Sequence, residues 1–266
     1  MNRASFHAMG TEVEVWDDSA DALQRVRDWF EEVEARCSRF RPDSELSLIN
    51  RDPSSLVPLS GMMLEVLGAA VRARVITDGL VDVGVGSAVE AWGYDRTFDE
   101  VTDRDDAPEP ISPGEWSLDE PWLRRPPGLR IDLGGIAKGW ACDRAVEQEL
   151  ASVVSAGGDL RSDHPDTVAS ITDQHGEVVA RLHVGRAAVA TSSIGRRHWR
   201  VAGSEVSHLV DPRSMRPVRT PVVSATVLAA TATDAEAGAK AVLMLGADGL
   251  AWAEAEPWVA AALVIW

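Results

Sequence analysis

The segment IDLGGIAKGWACDRAVEQEL, residues 131–150, combines residue types that can bind a charged ligand. Asp132 precedes two adjacent glycines, and Lys138 follows in what reads as the first turn of a helix. Helix N-termini present unpaired N–H groups, glycines let a ligand approach the backbone, and a lysine adds a full positive charge. These features favour a phosphate-binding turn, although the spacing matches neither the dinucleotide fingerprint nor the P-loop. The alternative is that Gly134 and Gly135 only permit close packing of a strand against a helix.

Two further segments carry side chains that can serve catalysis or metal binding. In HLVDPRSMRPV, His208 precedes an apolar pair and Asp211 begins a turn, and a neutral histidine near a carboxylate can accept a proton. In TATDAEAGAK, Asp234 and Glu236 fall at a helix start. Helix capping is the usual role of carboxylates there, and Mg²⁺ binding is the alternative. A lone histidine is more often structural, so neither function follows from these residues alone.

The composition excludes several classes of protein. The chain has 266 residues and a formal net charge of −16, with a pI of about 4.7. A nucleic-acid or anionic-membrane surface needs a basic face, so neither partner is expected. No run approaches the length of a membrane-spanning helix, and MNRASFHAMG is too polar for a signal peptide. Cys37 and Cys142 lack metal-like spacing and read as buried thiols, so we expect a cytoplasmic protein.

Hydrophobic periodicity indicates the elements that position these residues. Apolar residues recur at helical spacing over residues 19–37, 60–77 and 136–150, and again before the C-terminal strand. Residues 38–50 are predicted to form a loop, and residues 96–128 a surface excursion with at most short structure. Short strands are predicted at 11–16, 129–133, 152–156, 168–174, 177–184, 187–193, 198–203 and 222–230. Strands and helices are intermixed without strict alternation, which predicts an α+β fold.

An ordered set of motifs resembles a known family. The motifs are AMGT (8–11), SRFRPDSELSLIN (38–50), VDVGVG with AWGY (81–94), DLGGIAKGWACD (132–143), SAGGD (155–159), HLVDPRS (208–214) and ATATDAEAGAKAVLMLG (230–246). Together they resemble the ApbE family, the FAD:protein FMN transferases. The resemblance covers nearly the whole chain and implies one domain over residues 1–266. It implies an α+β fold with two lobes, mixed or antiparallel sheets flanked by helices, and a flavin cleft between the lobes.

The resemblance also implies an activity. Family members bind FAD, use Mg²⁺ at its diphosphate, and transfer the FMN moiety to a threonine or serine hydroxyl of an acceptor protein, releasing AMP. Some members hydrolyse FAD to FMN and AMP instead. The expected partners are FAD and an acceptor protein. The alternatives are an FAD pyrophosphatase and a non-catalytic flavin-binding protein with a degraded metal site.

Site residues carry over by position. His208 matches the residue proposed to help remove the acceptor proton, and Glu236 is the second expected catalytic residue. Phe40 stands where the family usually has a tyrosine beside the adenine. The expected cofactor contacts are Met9, Phe40, Ala91, Trp92, Gly93, Asp132, Lys138, Leu209 and Lys240.

This chain departs from the family at the implied metal site. The implied Mg²⁺ ligands are the carbonyl of Gly135, Glu236 in place of an aspartate, and Asp234 as a substitute. Lys240 stands at the position of a ligating threonine, and an ammonium has no lone pair for a metal. Lys240 then either replaces part of the cation's role or marks a degraded site. Met215 replaces the glycine that ends the family's DPxTG turn, so we expect strain or a rebuilt turn there.

Overall fold

The computed structural model describes all residues from Met1 to Trp266. The strands are β1 Asn2–Ala8, β2 Thr11–Asp17, β3 Leu56–Pro58, β4 Ser117–Asp119, β5 Trp122–Arg124, β6 Val153–Ala156, β7 Asp159–Ser162, β8 Val168–Thr172, β9 Val178–His183, β10 Ala188–Ser193, β11 His198–Val201, β12 Ser204–Ser207, β13 Val210–Asp211, β14 Arg216–Pro217, β15 Ser224–Ala229 and β16 Val259–Ile265. The helices are α1 Ala22–Cys37, α2 Glu45–Arg51, α3 Gly61–Ile76, α4 Gly86–Ala91, α5 Ala137–Glu147, α6 Ala232–Leu245 and α7 Gly249–Ala255. Helices and antiparallel sheets together confirm the predicted α+β class.

The first of two structural units comprises residues 1–34, 136–196 and 220–266. Its centre is a seven-stranded antiparallel sheet in the order β1-β2-β6-β7-β10-β15-β16. Helix α6 is buried along nearly its whole length and packs on β10 and β15. Small residues allow this close approach, because a Cβ on Gly238 would lie 3.0 Å from Val227 Cγ1.

The second unit comprises residues 35–135 and 197–219. It contains α2, α3 and α4, a three-stranded sheet in the order β3-β5-β4, and the hairpins β11-β12 and β13-β14. Helix α3 begins after Ser60, whose hydroxyl accepts a hydrogen bond from Met63 N at 3.3 Å. Residues 96–128 form only a short 3₁₀ turn and the strands β4 and β5, as predicted.

Two sequence-based assignments are wrong. Residues 38–50 are not all loop, because α2 begins at Glu45, where the Ser44 hydroxyl caps the helix by accepting from Ser47 N. Residues 129–133 form no strand, although Ile131 and Leu133 are buried. Their backbone bonds to a side chain and a loop instead, with Ile131 N donating to Asn50 Oδ1 at 2.8 Å. Helix α7 was not predicted at all.

The predicted buried thiols are present, since Cys37 and Cys142 are both free and buried. Burial raises the pKa of the Cys37 thiol to about 12. None of the helices has the length and apolar character needed to cross a membrane.

Candidate functional site

Four charged side chains of the first unit form what we call the lysine–carboxylate cluster: Lys138, Asp159, Glu236 and Lys240. Lys138 Nζ lies 2.6 Å from Asp159 Oδ2 and 2.9 Å from Glu236 Oε1. Lys240 Nζ lies 3.0 Å from the same Glu236 oxygen. The other Glu236 oxygen accepts a hydrogen bond from Gly139 N at 3.0 Å. Three predicted site residues are thus brought together, and Asp159 is a fourth that the sequence analysis did not select.

Three elements position the cluster. Lys138 lies in the first turn of α5, Glu236 and Lys240 lie one turn apart on α6, and Asp159 begins β7. Helices α5 and α6 approach closely, because a Cβ on Gly139 would lie 2.8 Å from the carbonyl oxygen of Ala232. The glycine therefore brings Lys138 within reach of Glu236. Close strand or helix packing, considered above for Gly134 and Gly135, is observed at Gly139, whereas a Cβ on Gly134 would meet only the side chain of Asp132.

Asp143 binds the N-terminus of α6, the helix that carries Glu236 and Lys240 of the cluster. Its carboxylate accepts hydrogen bonds from Ala232 N at 2.7 Å, from Thr233 N at 2.9 Å and from Thr233 Oγ1 at 2.7 Å. Ala232 N and Thr233 N are among the N–H groups that a helix leaves unpaired at its N-terminus. Burial raises the pKa of Asp143, and the bonds from Thr233 and Ala232 offset part of that rise. Asp143 thus fixes α5 to the start of the helix that carries Glu236 and Lys240.

The charges of the cluster are arranged by depth. The lysine side chains are 18% and 11% exposed for Lys138 and Lys240, whereas Asp159 and Glu236 are 4% and 1% exposed. Burial, with the Glu236 charge, raises the pKa of Asp159 to about 6. Burial alone would raise the pKa of Glu236, but the two ammoniums outweigh it and lower that pKa to about 2. The two lysine side chains are therefore the more exposed members of the cluster, and the two carboxylates are the more deeply buried ones.

This arrangement does not fit the implied Mg²⁺ ion. No group of three or more His, Cys, Asp or Glu side chains is placed to hold a metal ion. Glu236 already accepts three hydrogen bonds. A carboxylate has about four acceptor positions, so about one remains. Unit charges about 4 Å apart interact by about 4 kcal/mol at an effective dielectric constant of about 20, and a divalent ion doubles that figure. An Mg²⁺ ion beside Glu236 would therefore meet strong repulsion from both ammoniums.

The other implied ligands are the backbone carbonyl of Gly135 and the carboxylate of Asp234. Asp234 is buried in the first turn of α6, where its N–H donates to the capping hydroxyl of Thr231 at 3.1 Å. The side-chain geometry thus gives no support to a magnesium set of Gly135, Asp234 and Glu236.

In the second unit, rings gather around one arginine in what we call the Arg39 cluster. The Arg39 guanidinium lies 4.1 Å from the ring centroid of Phe40 and 4.6 Å from that of Tyr94. Its Nε is 2.9 Å from Asp132 Oδ2, and its buried Nη2 has no hydrogen-bond partner in the protein. The His208 ring meets Tyr94 edge-on, with 6.4 Å between centroids. Phe40, Asp132 and His208 are therefore predicted residues that the fold brings to one cluster.

His208 is placed by the strand that precedes it. It follows β12, and its Nδ1 lies 3.4 Å from the carbonyl oxygen of Arg197. The structure does not pair it with Asp211, whose carboxylate binds Arg213 at 2.8 Å. The Arg213 guanidinium helps to hold the pKa of Asp211 below its usual value against the opposing effect of burial. The carboxylate that the sequence suggested for His208 is therefore engaged elsewhere.

The segment from Ala91 to Gly93 is held at the end of α4. Trp92 Nε1 donates to the carbonyl oxygen of Met215 at 3.0 Å, and the Trp92 carbonyl accepts from Trp199 Nε1 at 2.9 Å. The Ala91 carbonyl accepts from Arg104 at 3.2 Å. Gly93 has a φ of +110°, and a Cβ there would lie 2.9 Å from the Trp199 nitrogen, so a glycine is required.

The remaining predicted contacts are also located. Met9 has a φ of +52°, and its N–H donates to Glu34 Oε2 at 3.0 Å. Leu209 is buried, and its carbonyl accepts from Val218 N at 2.8 Å. The sequence analysis missed Arg39 and Tyr94 as well as Asp159. All three lie inside motifs it had singled out (SRFR, AWGY and SAGGD), so the available signal was proximity to a known motif.

Comparisons with known proteins show which family this chain is similar to. The sequence profile of the ApbE family matches residues 9–263. The FAD:protein FMN transferase of Vibrio cholerae serotype O1 is 32% identical, covering 90% of this chain and 78% of the relative. The enzyme of that name from Escherichia coli strain K12 is 27% identical, covering 86% of this chain and 72% of the relative.

Solved structures show the same fold. The flavin transferase ApbE from Vibrio cholerae has a TM-score of 0.81 at 27% identity and covers 99% of this chain and 93% of its own. The ApbE protein from Thermotoga maritima has a TM-score of 0.85 at 25% identity and covers 99% of this chain and 94% of its own. On the strength of the profile match and the relatives, this chain belongs to the ApbE family.

Proposed function

We propose that this chain transfers the FMN moiety of FAD to a threonine or serine hydroxyl of an acceptor protein and releases AMP. Family membership and the relatives named FAD:protein FMN transferase support the reaction. The observation that carries the proposal is the lysine–carboxylate cluster. In this cluster the two lysine side chains are more exposed than the two carboxylates they bind, which suits the diphosphate of FAD.

The reaction joins the acceptor oxygen to the FMN-side phosphorus and breaks the bond from that phosphorus to the bridging oxygen. That oxygen leaves with AMP and keeps the electron pair. Such a step needs the diphosphate charge to be neutralised and a base for the hydroxyl proton. Lys138 and Lys240 would supply the charge.

His208 would take the proton. If Nδ1 carries a proton toward the Arg197 carbonyl, Nε2 becomes the nitrogen that can accept one. The structure suits this role because the Tyr94 ring and the Arg197 carbonyl both restrict the imidazole.

The second unit would recognise the nucleotide. Phe40 and Trp92 offer aromatic faces, and Arg39 orients the Asp132 carboxylate. Ala91, Gly93 and Leu209 are the further contacts of this unit that the family resemblance implies, and Met9 of the first unit is the remaining one. A cytoplasmic location is part of the same proposal, since the two buried cysteines are free thiols.

The test is incubation of the purified chain with FAD, with and without an acceptor peptide, while AMP and FMN are followed by chromatography. AMP that appears only with the acceptor, together with a fluorescent peptide, would establish the transferase. AMP and free FMN without acceptor would identify a pyrophosphatase. Bound FAD without AMP under any condition would overturn the proposal in favour of a flavin-binding protein.

A further inference from the structure

The lysines of this chain all lie in one cluster. The chain has 26 basic residues of the Lys and Arg types, and only two of them, Lys138 and Lys240, are lysines. Both belong to the lysine–carboxylate cluster. The other residues in this count are all arginines, so among the side chains this site alone uses a compact ammonium with three donors in place of a planar fork.

The donors of these two groups are only half used by the protein. Two ammoniums carry six N–H donors in all. Lys138 donates to Asp159 and Glu236, and Lys240 donates to Glu236, which makes three hydrogen bonds. The carboxylates lie deepest and the lysines reach solvent. The donors that remain therefore suit an anion arriving from solvent, in a chain whose overall charge of −16 would otherwise repel it.

The same geometry disagrees with the metal that the family resemblance implies. Lys240 takes the position of a threonine ligand, and its Nζ bonds the carboxylate that a metal would need. No group of three or more acidic, histidine or cysteine side chains is placed to hold a metal ion. A positive charge is nevertheless present at this point of the fold, built into α6 as a side chain.

We propose that Lys138 and Lys240 together neutralise the diphosphate of FAD in place of a divalent cation, so that this chain works without Mg²⁺. The part of this inference that concerns FMN transfer rests on the proposed function. The part that concerns FAD binding does not, and it can be tested separately. The phosphorus–oxygen bond to AMP breaks as the acceptor oxygen bonds to the FMN-side phosphorus. The two ammoniums bind the diphosphate oxygens before, during and after that exchange, with no change in their own bonds.

Binding is measured first, with FAD and riboflavin as probes, each in EDTA and in millimolar MgCl₂. Riboflavin lacks the diphosphate, so it controls for contacts to the isoalloxazine ring. We expect the Kd of FAD to be the same within about twofold in the two buffers. A Kd for FAD that is tighter by about tenfold or more in MgCl₂ would overturn the inference, because that corresponds to a cation contributing about 1.4 kcal/mol.

Substitution of Lys240 gives the second test. Lys240→Thr is expected to weaken FAD binding in EDTA by about tenfold or more, the size of a lost charge-assisted hydrogen bond, and to regain part of it in MgCl₂. Riboflavin binding should not change. Arg144→Ala is the matched control, since it removes an equal charge from a partly exposed position on α5. Equal effects of the two substitutions on FAD binding would contradict the inference.

The unmodified protein offers a check that needs no variant. Selective ¹³Cε labelling of lysine gives two signals from the whole chain. FAD should shift both, and riboflavin neither. If FAD leaves both signals unmoved, the inference fails even where Lys240→Thr does not fold. If both shift and binding ignores Mg²⁺, yet no AMP forms in either buffer, the proposed transfer fails while the cation inference stands.

Discussion

Arg39 and Asp132 fix one another in the second unit, with Arg39 Nε 2.9 Å from Asp132 Oδ2. The guanidinium is packed against the rings of Phe40 and Tyr94, and the other Asp132 oxygen accepts from Gly134 N at 2.7 Å. A buried ion whose partner is removed is left uncompensated, at a cost of about 3 to 5 kcal/mol. The pair therefore sets the direction of the Asp132 carboxylate and depends on both members.

Arg39→Lys tests this relationship. Lysine keeps the charge but loses the planar group that stacks on both rings and the buried Nη2 donor. We expect the Kd of FAD to rise about tenfold and the free energy of unfolding to fall by about 1 to 3 kcal/mol. Fluorescence titration and urea unfolding measure the two effects. Arg41→Lys at an exposed position should change neither, and an Arg39→Lys protein with unchanged FAD affinity would remove Arg39 from nucleotide recognition.

The turn between β13 and β14 contains the strain that the sequence indicated. Met215 has a φ of +55°, in the left-handed region that favours glycine, and its N–H donates to the Asp211 carbonyl at 2.8 Å. Its side chain is nevertheless buried among the apolar residues around Tyr94 and Trp199. The side chain thus contributes to packing while the backbone is strained.

Comparison of Met215→Gly with Met215→Ala separates the two effects. Both remove the buried side chain, so both should be less stable than the parent by about 2 to 5 kcal/mol. Only the glycine relieves the left-handed strain, so Met215→Gly should be more stable than Met215→Ala by about 1 kcal/mol. Urea unfolding of the three proteins measures the difference. An alanine variant equal to or more stable than the glycine variant would show that the turn carries no such strain.

The sequence predicted the elements whose signals are local. Helices α1, α3 and α6 follow from apolar spacing, as with Val26, Phe30 and Val33, which are all fully buried on one face of α1. Residues 129–133 have the composition of a strand, but the partner of Ile131 is the side chain of Asn50, which is 81 residues away in sequence. No local pattern contains that information.

In the candidate site, too, the residues with local signals were predicted and the contacts between distant residues were not. Lys138, Glu236 and Lys240 were selected from their motifs, but the bond between Lys138 and Asp159 requires β7 to lie beside α5. The consequence for the metal followed only from geometry, since a lysine at position 240 is compatible with either a replaced cation or a degraded site. The structure adds that the Lys240 ammonium bonds the Glu236 carboxylate, and FAD binding with and without MgCl₂ distinguishes the two alternatives.

The Asp17 carboxylate, which binds Ser152 just before β6, should stabilise the protein at neutral pH. Burial alone would raise the pKa of Asp17, but hydrogen bonds from Ser19 N and from N and Oγ of Ser152, at 2.7 to 2.8 Å, outweigh it and lower the pKa below 3.8. The unfolded state therefore binds the proton more tightly. The stabilisation is fully present above the pKa that Asp17 has in the unfolded state, and it is lost as the pH falls through the pKa that it has in the folded state.

Asp17→Asn should then cost about 1 to 2 kcal/mol at pH 7. The difference from the parent should shrink as pH falls below about 4, because the parent carboxyl is also neutralised there. Urea unfolding at several pH values measures the difference, with the exposed Asp18→Asn as the control. A stability difference that stays constant down to pH 3 would contradict the assignment.

His208 provides the decisive test of the proposed chemistry. If its imidazole accepts the acceptor proton, His208→Gln should lower kcat for transfer by about 100-fold or more and leave the Kd of FAD nearly unchanged. His198→Gln is the matched control, because His198 is exposed and pairs with Ser207, the residue before His208, in the β11-β12 hairpin. A His208→Gly variant should regain activity when imidazole is added, since a free base can then take the proton. A purely structural histidine would instead give equal losses of FAD binding and stability, with no recovery on adding imidazole.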